Sequence, residues 1–82
     1  MEVWVAVVTH RHGNNVYASR TRKGIMDQLF DYVVLEWNSE IPDEGLPDIL
    51  EKNISKSEVV DRYFELVGNE YLDTCAQITL GD

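Results

Sequence analysis

The feature that most constrains this chain is its opening segment. Val3-Trp4-Val5-Ala6-Val7-Val8-Thr9-His10 is β-branched or aromatic at almost every position and carries no acid. It is too short for a stable isolated helix and matches the residues that fit a pleated surface. Alternation puts Val3, Val5 and Val7 on one face and Trp4, Ala6 and Val8 on the other. A strand that is apolar on both faces is expected at the centre of a sheet, with both sides covered.

The next residues read as a hairpin. His12-Gly13-Asn14-Asn15 is turn chemistry, because Gly and Asn tolerate the positive φ of tight turns. Residues 16–20, Val16-Tyr17-Ala18-Ser19-Arg20, form the return strand. Thr21 then offers an N-cap. Ile25, Met26, Leu29, Phe30, Val33 and Trp37 recur at helical spacing over residues 22–39. Gly24 inside that helix costs about 1 kcal/mol relative to Ala. Pro42 requires the helix to stop by Ile41.

Residues 42–56 connect, with room for a helical turn starting at Pro47. Ser55 with Glu58 makes a capping box for a second helix, with Ser57 an alternative cap, and along it Val59, Val60, Tyr63, Phe64 and Val67 repeat. Gly68 closes it. Leu72, Thr74, Ala76, Ile78 and Leu80 then alternate with polar and mixed residues, giving a third strand with one apolar face. The order ββααβ predicts a single α+β domain over residues 1–82. Its two layers are a three-stranded, mostly antiparallel sheet and two helices on one face.

Composition bounds the function. At 82 residues there is little core in which to build a deep pocket. Cys75 is the only cysteine and reads as a buried core thiol. No secretory leader and no apolar run of about 20 residues is present, so the expected location is a reducing cytoplasm without membrane contact. The chain carries 15 acids against 7 Lys and Arg, a net charge of −8. The charges are polarised: residues 1–26 balance to +3 and residues 27–82 to −11. Such a surface repels nucleic acid and attracts basic partners.

Two groups of residues could carry function. Glu36, Glu40, Asp43, Glu44, Asp48 and Glu51 run without an intervening base. Folded side by side they would form a negative ridge that imitates a row of phosphates and fits a Lys/Arg-lined channel. His10 and His12 lie on one strand face, near Arg11, Arg20 and Arg22. A His pair can move protons on a phosphodiester, which allows an RNase-like alternative. It lacks the third and fourth ligands that zinc requires, so no metal or other cofactor is expected. No phosphate-binding loop, nucleophile elbow or calcium loop is present. The expectation is a non-catalytic binder of a basic protein or nucleoprotein complex, not of nucleic acid itself. If helices cover one sheet face only, the other face, with either Trp4 and Tyr17 or the valines, would serve binding or self-association. An oligomerisation or antitoxin module, or a homodimer through that face, is the third expectation.

One pattern resembles a known group. A strand ending in His10-Arg11-His12-Gly13, then Val16-Tyr17-Ala18-Ser19, then a helix holding Trp37, resembles small phage and mobile-element proteins. The category of anti-CRISPR inhibitors is similar in kind: short, acidic, cofactor-free and α+β. The likeness covers roughly the first forty residues. It implies an inhibitor that occupies the nucleic-acid site of a host effector, and it assigns no residue a role.

Overall fold

A computed structural model of the chain describes residues 1–43, 45–47 and 53–79. Five elements are present: β1 (Glu2–His10), β2 (Gly13–Ser19), α1 (Arg22–Glu40), α2 (Lys56–Val67) and β3 (Tyr71–Thr79). The sheet order is β2-β1-β3, with both pairings antiparallel. The α+β class is as expected, and the most apolar strand is the central one.

Both helices begin and end on capping chemistry. The Thr21 hydroxyl accepts from the Gly24 amide at 2.9 Å, and the Ser55 hydroxyl accepts from the Glu58 amide at 3.1 Å. α1 ends where the Ile41 amide donates to the Trp37 carbonyl, one residue before Pro42. α2 ends on Gly68 at φ 74°, a left-handed cap that glycine adopts without strain.

The core is one layer deep. Ala6 and Val8 of β1 meet Ile25, Leu29, Val33 and Trp37 of α1 and Val59, Val60 and Tyr63 of α2. Trp4 and Tyr17 pack against the edge of this cluster, so the even-numbered face of β1 looks toward the helices. The opposite face, with Val3, Val5 and Val7, meets no described element. The expectation that β1 is covered on both sides therefore fails. Flanking strands shelter those valines only in part, because both helices settle on the face that offers Trp4 and Tyr17.

Three local departures have physical reasons. The hairpin turn is Arg11-His12 alone, with His10 paired to Gly13, so Asn14 and Asn15 belong to β2. Gly13, at φ 131°, supplies the unusual backbone at the first strand position rather than at the turn centre. In β3 the register slips between Val7 and Val8, which pair with Thr74 and Leu72. Asp73 is the extra residue, and its carboxylate accepts from the Thr9 hydroxyl. The bulge reverses the alternation, so Leu72 joins the core side while Ala76 and Ile78 fall on the open side. β3 does not have the single apolar face that its spacing suggests. Cys75, expected in the core, is exposed, because α1 packs on β1 and β2 and neither helix covers that part of β3.

The helical turn expected from Pro47 lies outside the described residues, as does Leu80. Among the described residues no helix is long and apolar enough to cross a membrane.

Candidate functional site

The end of the hairpin, the last two turns of α1 and the residue before β3 enclose a polar cleft of about 140 Å³. Tyr32, Glu36 and Glu40 reach it from α1, since residues four apart share one helix face. His10, Arg11, His12 and Asn15 close it from the hairpin, and Glu70 forms its floor.

The hydrogen bonds fix the state of His10. Its Nδ1 accepts from the His12 amide at 3.2 Å, which puts the proton on Nε2. Nε2 in turn lies 3.1 Å from Asn15 Oδ1, and the Asn15 amide nitrogen donates to the Tyr17 hydroxyl. Both ring nitrogens of His10 are thereby occupied. His12 is more open: its Nε2 accepts from the Arg11 Nε at 3.3 Å, leaving Nδ1 without a protein partner among the described residues. The two rings stand 6.1 Å apart, edge to face. Arg11 also reaches Glu40 at 3.6 Å.

Glu70 is the buried charged residue of the core side, 5% exposed. Its Oε1 accepts from both Tyr32, at 2.5 Å, and Tyr63, at 2.8 Å. Burial, and next the bond to the Glu70 carboxylate, pushes both phenols well above their ordinary pKa. They act as fixed donors that hold one carboxylate oxygen.

The candidate acids are dispersed. Glu36 and Glu40 line the cleft, beside the very His and Arg residues that the sequence presents as a separate group. Glu40 is paired with Arg11 and its side chain is only 14% exposed. Asp43 is exposed just past the helix. Glu44, Asp48 and Glu51 lie outside the described residues. Arg20 and Arg22 do not line the cleft; Arg22 instead shares a groove at the start of both helices with Lys23, Asp27 and Lys56. Asp27 bonds Lys23 at 2.8 Å and Lys56 at 3.0 Å. These bonds hold its carboxyl below the usual range, the Lys23 bond foremost.

Glu70 and Tyr32 escape sequence reasoning. A single acid before a strand carries no sign that two tyrosines will enclose it. Tyr32 stands one position off the main apolar stripe of α1 and reads as surface.

Charge runs against the dipole of α1. Its first turn holds Arg22 and Lys23 and no acid, and its last turn holds Glu40 and no base. A helix favours the reverse by about 0.3–1 kcal/mol per charge. Three ion pairs form among the described residues, using only Asp27 and Glu40 of the acids. Asp31, Glu36, Asp43, Glu58, Asp61 and Glu65 have no cation against them there.

Among the described residues, no three His, Cys, Asp or Glu converge in a way that could hold a metal ion. No protein-family description, curated protein or solved structure matches the chain.

Proposed function

We propose that this chain is a non-catalytic binding protein, an inhibitor of the anti-CRISPR kind from a phage or other mobile element. In this reading the acidic end of α1, with Glu36, Glu40 and Asp43, engages a basic nucleic-acid-binding site on a host effector. Glu44, Asp48 and Glu51, which lie outside the described residues, complete the acidic set of this proposal.

The observation that supports it is the placement of charge on α1. Solubility needs acids somewhere, but it does not need them at the helix end where they destabilise. Glu36 and Asp43, with no cation against them among the described residues, cost self-repulsion in the free protein and recover it against a basic partner, while Glu40 already meets Arg11. The cleft side of the molecule also lacks the net positive field that phosphate binding requires, which fits a partner other than nucleic acid.

The test is capture of host proteins on the tagged chain at low and at high salt. The reading requires a nucleic-acid-binding complex that is retained at low salt, released at high salt, and displaced by its own nucleic acid. Retention that is indifferent to salt and to the competing nucleic acid sinks it.

A second reading has one observation in its favour, the meeting of His12, Arg11, Glu36 and Glu70 in a single cleft. There His12 would move protons in an RNase-like reaction while Arg11 held phosphate. His10 could take no part without breaking both its bonds. RNA cleavage between pH 5 and 8 that is lost in His12→Ala would favour this reading; inertness over the same range removes it.

A further inference from the structure

The face of the sheet that the helices leave open is mostly apolar at its centre. Val5 stands between Ala18 of β2 and Ala76 of β3, Val7 pairs with Val16, and Val3 pairs with Ile78. Side chains opposite one another in this way lie about 5 Å apart and form one continuous surface. Val16 is 67% exposed and Ile78 43%. Three strands of this length cover about 400 Å² in plan. Two such patches, with their relief, bury on the order of 1,000 Å², where specific interfaces begin.

Charge decides what fits. The centre of this face carries none, in a chain of net charge −8. Among the described residues, two charged residues of opposite sign flank it at opposite corners, one past the end of β2 and one in the bulge of β3. Arg20 follows Ala18 at the end of β2, beside the start of β1. Asp73 sits in the bulge of β3, held by Thr9 at the far end of β1. A basic partner has nothing to meet here. A second copy does, because a two-fold axis lying in the plane between two stacked sheets can exchange the two corners.

We propose that two copies of this chain stack through their open sheet faces about such an axis, with Arg20 of each copy against Asp73 of the other. The valine rows interdigitate at the usual spacing of about 10 Å between packed sheets. The interface is then a closed one, and the cleft and acidic helix ends stay outward on both sides of the dimer. This association is independent of the partner-binding reading, since it uses the other face of the sheet.

Sedimentation equilibrium of the purified full chain, from low to high micromolar concentration, tests it. The wild-type chain should dimerise. Val5→Asp should be monomeric with an unchanged circular dichroism spectrum, because Val5 is outside the helix-facing core. Arg20→Asp and Asp73→Arg should each weaken dimerisation roughly tenfold, and the double exchange should recover most of that loss. A wild-type chain that stays monomeric throughout overturns the proposal. So does a dimer that Val5→Asp leaves intact, or one that the double exchange fails to restore. Partner capture by the monomeric Val5→Asp variant separates this outcome from the functional reading.

Discussion

The guanidinium of Arg11, in the hairpin turn, lies 3.6 Å from the carboxylate of Glu40, in the last turn of α1. Arg11 is largely exposed, so the pair contributes no more than about 1 kcal/mol. Its consequence is for the surface charge: Glu40 is the one acid of the helix end that already has a cation. Arg11→Ala should therefore cost under about 1 kcal/mol in urea unfolding and should tighten binding to a basic partner. Weaker binding in Arg11→Ala would mean that Arg11 itself touches the partner.

Neutralising the two free acids should move stability and binding in opposite directions. Glu36→Gln and Asp43→Asn relieve charge at the negative end of the α1 dipole, worth a few tenths of a kcal/mol each. Unfolding midpoints should rise slightly while partner affinity falls. Acids that serve only solubility would show the first effect without the second.

Glu70 accounts for the deepest polar contact. Tyr63→Phe removes one of the two hydroxyls on Oε1, a hydrogen bond to a charged group worth about 1.5–3 kcal/mol. Glu70→Ala should cost more than Tyr63→Phe, since it leaves the buried Tyr63 hydroxyl without an acceptor. Urea titration of the two variants and the double variant checks the order, and the double variant should fall short of the sum.

The pH dependence rests on four groups, of which Lys23, raised by its bond to Asp27, is fully exposed and contributes least. Tyr32 and Tyr63 have folded-state pKa values raised above their ordinary 10.0, so their contribution is complete below that pH and is lost as pH rises beyond it. Asp27 has its folded pKa lowered from 3.8, so its contribution is present above that range and is lost as pH falls through it. Thermal melts should decline on both arms. Tyr63→Phe should flatten the alkaline arm, and Asp27→Asn the acid arm. Equal slopes in wild type and variants would contradict the assignment.

Gly24 inverts the usual helix rule. A methyl group there would press on the Ser19 side chain, whose Cβ it would approach to 3.0 Å, and on the Thr21 hydroxyl at 3.1 Å. Gly24→Ala should thus destabilise by about 1–3 kcal/mol instead of gaining helix propensity. Ser19→Gly in the same chain should recover part of the loss.

Much of this fold is legible because its signals are local. Thr21, Ser55, Pro42 and Gly68 mark helix ends through single side chains or single backbone angles. The stripe from Ile25 to Trp37 marks the buried face. Features that depend on pairing across the chain escape. The bulge at Asp73 arises from β3 meeting β1 and has no trace in the alternation of β3 itself. Cys75 is exposed because of where two distant helices come to rest. The candidate site divides in the same way. Glu36 and Glu40 are recognisable as an acidic run, and His10 to His12 as a polar triplet. That they face one another comes only from the hairpin folding back along α1, which also brings in Glu70.

Whether the acidic end of α1 binds a basic nucleic-acid site is tested most directly by affinity. The measurement is the affinity of a captured effector for the wild-type chain and for Glu36→Lys with Asp43→Lys, each across a salt series. The double reversal should lose binding at least about a hundredfold at low salt while keeping its circular dichroism spectrum. Wild-type affinity should fall steeply as salt rises. An unchanged affinity in the reversed chain, with wild-type binding flat across salt, would contradict a role for these acids in binding.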